Sequence, residues 1–317
     1  MDTFLTADDL AKTLRQDVRE GLTATPKTLP PKWFYDERGS ALFEEITRLE
    51  EYYPTRRERE ILIARAADIA AITGARTLLE LGAGSGEKTR LLLDALSGTL
   101  RAYVPVDVSG DFLADAAAGI AADHPDLAVR SVAADYEQHL HLLPGGERRL
   151  IAFLGGTIGN MLPAARIGFL GGLRATMSDG DFLLLGADLV KDAARLVPAY
   201  DDAAGITAEF NRNVLHVINR ELGADFDPAA FEHVAVWDDG DEWIEMRLRS
   251  VRDQDVRVGA LDLEVSFREG EEMRTEVSAK FRRDRLETEL GAAGLELAEF
   301  WTDEAGDFSL SLARPAG

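Results

Sequence analysis

The 317-residue sequence contains no cysteine, which excludes disulfides and thiolate metal sites and is compatible with a reducing compartment. Positive charge is scarce: 35 Lys and Arg stand against 57 Asp and Glu, for a formal net charge of -22. Nucleic-acid binding rests on basic side chains neutralising phosphates, and an anionic membrane surface repels the same excess of acid. Neither is expected as a partner; a small ligand, neutral or cationic, is. Long apolar runs are missing too, none reaching the ~18 residues that span a bilayer. The opening MDTFLTADDLAKTLRQ has no basic segment followed by an apolar one, so no secretory leader is expected and the compartment read from the sequence is the cytoplasm. Internal repeats and low-complexity tracts are also absent. Apolar residues are plentiful, at 46%, ample for a buried core, and the length of 317 residues suggests one large domain or two modest ones.

Along the chain, residues 8–22 (DDLAKTLRQDVREGL) predict a helix stopped by Gly21. Pro26, Pro30 and Pro31 make the next stretch a loop. SALFEEITRLEEYY predicts a short helix with Ser40 as N-cap, ended by Pro54. Thr55 and Glu58 then have capping-box spacing and open a helix that puts Leu62, Ala66 and Ile69 on one face. From residue 77, strand candidates at 77–81, 102–108, 127–135, 149–155 and 181–188 alternate with helical segments. That alternation is the pattern of a parallel sheet with right-handed crossovers. Residues 190–222 read as helical, and 233–281 alternate polar and apolar residues, as antiparallel strands with one wet face do. A helix at 284–293 and two strand candidates close the chain. The expected fold is α/β: a Rossmann-like, mostly parallel seven-stranded sheet in a domain of 57–189 plus 281–317. A second α+β lobe is expected from 1–56 plus 190–280.

Residues 80–89, ELGAGSGEKT, sit between a strand and a helix. A phosphate-binding P-loop needs Gly immediately before its Lys, but Glu87 precedes Lys88, and a carboxylate there would repel a triphosphate. The dinucleotide fingerprint would also want Gly at 87. Glu80-x-Gly82-x-Gly84-x-Gly86 instead resembles the first motif of class I methyltransferases, which implies S-adenosylmethionine (SAM) with its methionine part against the loop. Asp107 ends the second strand, where an acid accepts from a ribose diol. Asp135 ends the third, where the resemblance puts an acid, with Tyr136 beside it, at the adenine.

Three further segments, PPKWFYDERGSALFEEITRLEEYYPTR, LVKDAARLVPAYDDAAGITAEFNRNVL and EGEEMRTEVSAKF, resemble the histidine Nα-methyltransferases of ergothioneine biosynthesis. The resemblance covers essentially the whole chain. It implies SAM-dependent trimethylation of the α-amino group of L-histidine to hercynine. It also implies roles. Tyr52 and Tyr200 would bind the substrate carboxylate; their phenols are neutral donors, so no buried Lys or Arg is required. Asn160 would hold the α-amino group through its amide oxygen. Glu276 and Ser278, two apart on one strand face, would grip the imidazole, with Met246 near the ring pocket. Tyr35 and Phe43 would lie near the amine, where a growing methylammonium suits a cation-π contact, and Tyr35 is a candidate proton acceptor. Lys88 would lie on the donor side.

Taken singly these residues have plainer readings: Glu276 and Ser278 as the wet face of a strand, Tyr52 as a core aromatic, Asn160 as a turn residue. The alternative reaction weighed is N-methylation of tryptophan or a tryptophan derivative, which would not need a carboxylate for an imidazole N–H. No metal is expected, since His139-x-His141 lacks clustered acidic partners. A monomer is expected.

Overall fold

The computed structural model describes residues 2–84, 88–108 and 110–317, so Gly86 of the glycine motif lies outside the described residues. In chain order the strands and helices begin with β1 (Asp2–Thr3), α1 (Ala7–Thr23), α2 (Glu37–Ile46), α3 (Pro54–Thr73), β2 (Thr77–Leu81), α4 (Thr89–Leu96) and β3 (Ala102–Asp107). Next come α5 (Gly110–Asp123), β4 (Ala128–Val129), β5 (Val132–Ala133), α6 (Tyr136–His139), β6 (Arg149–Phe153), α7 (Pro163–Thr176) and β7 (Phe182–Asp188). Then follow α8 (Ala193–Leu196), α9 (Ile206–Leu222), β8 (Phe231–Asp238), β9 (Trp243–Ser250), β10 (Gln254–Val258), β11 (Leu263–Phe267) and β12 (Glu272–Ala279). The last three are α10 (Arg283–Ala292), β13 (Leu295–Thr302) and β14 (Phe308–Pro315). The chain folds into two compact units, one of residues 1–6, 54–190 and 281–317, the other of 7–53 and 191–280.

The first unit is built on a nine-stranded sheet in the order β1-β5-β3-β2-β6-β7-β14-β13, with β4 also beside β3. All pairs are parallel except those of β14, which runs antiparallel between β7 and β13. This is the Rossmann-like sheet expected from the sequence, with two additions. The third predicted strand is split into β4 and β5, and β1 adds an edge by pairing Asp2 with Val132. Every residue of β2 is buried, as a central parallel strand covered on both faces requires. Leu62 and Ile69 of α3 pack with Leu78, Leu92, Leu150 and Leu310 in the unit's core. Pro54 does not end a helix: it is the first residue of α3, where a proline costs nothing because that N–H has no helical partner. Glu58 makes no capping box, and its side chain is buried.

The second unit holds a three-stranded antiparallel sheet, β12-β9-β8, and the β10-β11 hairpin. Phe34, Val214, Ile218, Phe231 and Phe267 share its apolar core. Three local expectations change here. α1 runs through Gly21 rather than stopping at it; a Cβ on Gly21 would stand 2.0 Å from the carbonyl oxygen of Thr28, so the glycine serves a close backbone approach. The N-cap of α2 is Asp36, whose carboxylate accepts from Gly39 N at 2.9 Å, and Ser40 lies inside the helix. The helical stretch at 190–222 is interrupted: Asp202 accepts from the amides of Ile206 (3.0 Å) and Thr207 (2.7 Å) and starts α9 there.

Candidate functional site

In the first unit the glycine loop leaves β2 at its carboxyl end, where ligands of open α/β sheets bind. Gly82 (φ +69°) and Gly84 (φ +50°) both adopt left-handed backbone that a side chain would strain. Oδ2 of Asp107, at the end of β3, accepts from Gly84 N at 3.3 Å, so the predicted acid does meet the loop. Asp135 caps α6, accepting from Glu137 N at 2.9 Å and from Nε2 of Gln138 at 3.0 Å. Tyr136 stacks edge-on against Phe153 (5.4 Å) and Phe169 (5.9 Å). Burial raises the pKa of its hydroxyl, and Glu137, Asp107 and Asp135 push the same way.

Two carboxylates lie beneath this loop. Glu80 is buried and accepts from the hydroxyls of Thr89 (2.6 Å) and Tyr103 (2.6 Å). Burial pushes its pKa up to about 7, against the pull of those hydrogen bonds and of Lys88. Glu58 pairs with Lys88, and its Oε1 accepts from Gly155 N at 2.7 Å. Glu58 was missed from sequence because the capping-box spacing gave it a local explanation. Gly155 (φ +81°) and Gly156 (φ +73°) then lead into a single 3-10 turn at Thr157–Asn160, which sets Asn160 just past β6.

Among the described residues, a Cβ on Gly84 would meet nothing within 4 Å, and one on Gly82 only the ring of Tyr136, at 3.8 Å. Gly82 and Gly84 therefore present bare backbone clear of the other described side chains, with the Asp107 carboxylate beside Gly84. Those features fit the methyl donor that the motif implies. Among the described residues no group of His, Cys, Asp and Glu could hold a metal ion. No helix among them is long and apolar enough to cross a membrane.

In the second unit the predicted aromatics form one chain of ring contacts. Tyr35 meets Phe43 edge-on at 5.6 Å, Phe43 meets Tyr52 at 6.0 Å, and Tyr52 meets Tyr200 at 6.5 Å. Phe210 backs both Tyr35 and Phe43. Tyr52 and Tyr200 are buried, and Tyr35 is the exposed end, at 39%. Beyond Tyr200 the chain turns polar: its hydroxyl is 2.8 Å from Oγ of Ser278. Glu276 precedes Ser278 on β12 and pairs across the sheet with Met246, which puts these two side chains on one face.

A buried lysine that the sequence reading did not include stands beside Tyr200. Lys280 has none of its surface exposed, and its Nζ donates to Tyr200 Oη (2.7 Å) and Ser278 Oγ (2.8 Å). Its signal was present in the sequence. Glu276, Ser278 and Lys280 are spaced i, i+2, i+4, so they share one face.

The backbone of Tyr200 is held as well, its carbonyl accepting from Nε2 of His233 at 2.7 Å. Nδ1 of His233 faces the Asn211 amide at 2.8 Å. Burial lowers the pKa of His233, opposed by the hydrogen bond to Tyr200.

Comparison with known proteins adds the family context. A family model described as "Histidine-specific methyltransferase, SAM-dependent" matches residues 14–315. The chain is 59% identical to a histidine N-alpha-methyltransferase of Mycolicibacterium smegmatis over 312 residues, covering 98% of this chain and 97% of that one. It is 59% identical to the histidine N-alpha-methyltransferase of Mycobacterium tuberculosis over 302 residues, 95% and 94% of the two chains. It is 31% identical over 288 residues to ergothioneine biosynthesis protein 1 of Neurospora crassa, covering 87% of this chain but 32% of that protein.

Proposed function

Because this chain belongs to the histidine-specific, SAM-dependent methyltransferase family, we propose that it methylates the α-amino nitrogen of L-histidine. Three successive transfers would give hercynine, a step of ergothioneine biosynthesis. The observation that carries this reading is the ring chain of the second unit, which leads from the exposed Tyr35 to the hydroxyls of Tyr200 and Ser278. Its parts answer those of one substrate. Aromatic faces suit a methylated ammonium, phenols suit a carboxylate, and Glu276 suits a ring N–H.

In this proposal the first unit holds the donor and the second the acceptor. Gly82 and Gly84 admit the donor against bare backbone, Asp107 takes its ribose hydroxyls, Asp135 and Tyr136 flank its adenine, and Lys88 lies on the same side. The donor supplies a methyl group already activated on a sulfonium, so the protein's task is positioning and desolvation. The α-nitrogen must present a lone pair, and an α-amino group keeps its proton up to a pKa of roughly 8. Asn160 accepts from the amine through a neutral amide oxygen, which does not fix it as an ammonium ion pair. Tyr52 and Tyr200 hold the carboxylate; Glu276 and Ser278 hold the imidazole, with Met246 against it. Tyr35 and Phe43 face the charge that remains once protons can no longer be lost. The protein is assigned to the cytoplasm as a monomer acting on a small molecule, without nucleic acid or membrane.

The test is mass spectrometry of the purified protein with SAM and each standard amino acid separately. L-histidine alone should gain one, two and three methyl groups. Methylation of tryptophan, or of no amino acid while SAM still binds, would overturn the substrate assignment.

A further inference from the structure

The roles assigned above leave Lys280 without one, yet it is wholly buried and touches two of the proposed substrate residues. Its ammonium and the two hydroxyl oxygens form a triangle. Nζ is 2.7 Å from Tyr200 Oη and 2.8 Å from Ser278 Oγ, and those oxygens are 2.8 Å apart. An ammonium can only donate, so each oxygen gives Lys280 a lone pair. Each hydroxyl has a single proton, and only one of the two can lie between the oxygens. One hydroxyl proton therefore stays inside the triangle, and the other points out of it.

The triangle is held by further contacts. Nζ of Lys280 also sits 4.6 Å from the centre of the Tyr200 ring. The ring is packed by Tyr52, and the Tyr200 carbonyl is held by His233. Without the ammonium, either hydroxyl could turn its proton into the space Lys280 occupies. With it, both oxygens face the cation and the remaining proton is directed outward.

We propose that Lys280 is a positioning residue for substrate recognition. It orients the Tyr200 and Ser278 hydroxyls so that a single outward donor is offered, which joins recognition of the carboxylate and of the ring into one event. The proposal rests on the histidine reading given above. Lys280 acts through Tyr200 and Ser278, so its removal should weaken ground-state binding more than the chemical step.

The experiment compares wild type, Lys280→Met, Tyr200→Phe and the double variant. Steady-state kinetics are run with L-histidine, and SAM affinity is measured by calorimetry. Binding of L-histidine is compared with that of histamine, which lacks the carboxylate. Loss of charge-assisted hydrogen bonds predicts that Lys280→Met raises the KM for L-histidine about tenfold, with kcat within about threefold and SAM affinity unchanged. The preference for L-histidine over histamine should fall by a similar factor. In the Tyr200→Phe background the same change should cost less than about twofold, because the group it orients is gone.

An unchanged KM, an equal loss in the Tyr200→Phe background, or a parallel fall in SAM affinity would overturn the proposal. If Lys280→Met does not fold, Lys280→Gln carries the same cycle. Wild-type protein that leaves L-histidine unmethylated defeats the reaction assigned above and this proposal with it. Wild-type protein that methylates it, beside a Lys280→Met variant of equal KM, defeats this proposal alone.

Discussion

Gly186, in the middle of β7, is bare where Glu58 comes in: a Cβ there would stand 2.2 Å from Oε1 of Glu58. That oxygen is occupied already, accepting from Gly155 N at 2.7 Å. One buried carboxylate thus ties α3 to the strand end that leads to Asn160 and, through Lys88, to the glycine loop. Gly186→Ala must displace it. The expected loss is about 2 kcal/mol of stability, the usual scale for overpacking a filled core. Urea unfolding checks this, and a change below about 0.5 kcal/mol would mean that Glu58 has room to move.

Lys88 has two separable duties, neutralising Glu58 and, as proposed, contacting the donor. Lys88→Ala leaves a fully buried carboxylate without its cation, which should lower stability by about 2 kcal/mol and SAM affinity about tenfold. Adding Glu58→Gln removes the stranded charge but keeps an acceptor for Gly155. The double variant should recover most of the stability and none of the SAM affinity. Recovery of both would assign Lys88 a purely structural part.

Met246 and Glu276 are cross-strand neighbours, and Met246 is buried. Replacing them by Val and Ala removes volume and the carboxylate proposed to accept from the imidazole N–H. In the Glu276→Ala, Met246→Val double variant, kcat/KM for L-histidine should fall about a hundredfold, a loss of the size expected for an unpaired polar ligand group plus lost packing. Activity on L-tryptophan should rise in the same variant. A double variant that keeps its histidine preference would place ring recognition elsewhere.

The pH dependence of stability should carry a signature of His233. The Thr275 hydroxyl donates to Oδ1 of Asn211 at 2.6 Å, which turns the Asn211 NH2 toward Nδ1 of His233 at 2.8 Å. Nδ1 is then an acceptor, and protonating it would set two donors face to face. Burial lowers this pKa from the ordinary histidine value of 6.5. A depressed folded-state value means the contribution is complete above the unfolded pKa and is lost as pH falls through the folded one. Wild type should therefore lose more stability than His233→Gln between about pH 7.5 and about pH 5. Equal losses would show that His233 does not titrate with folding.

The parallel strands were legible because buried strands read as short, mostly apolar runs between helical segments: TLLEL is β2 residue for residue. The antiparallel strands of the second unit were legible through their alternation. Contacts between distant segments were not. Gly21 and Gly186 look like helix stop and strand filler until Thr28 and Glu58 arrive beside them. β1 is two residues, Asp2–Thr3, too short to carry any periodicity. At the site, the strand-end positions pointed to Asp107 and Asp135, while the tyrosines were singled out only through the family resemblance. Lys280 escaped because its i, i+2, i+4 spacing with Glu276 and Ser278 gives it their face but does not mark a lysine at a strand end as buried.

The order of strands in the first unit has a consequence for synthesis. β14 lies between β7 and β13, yet it is made after both. While a chain is being translated, β13 emerges with no neighbour to pair with, and β7 keeps an open edge until residues near 315 are available. The second unit's strands, all within 231–279, can meet their partners earlier. For that interval the nascent chain carries an unpaired hydrophobic strand edge of the kind that other chains can add to, and the strand that closes it is made after both of its neighbours.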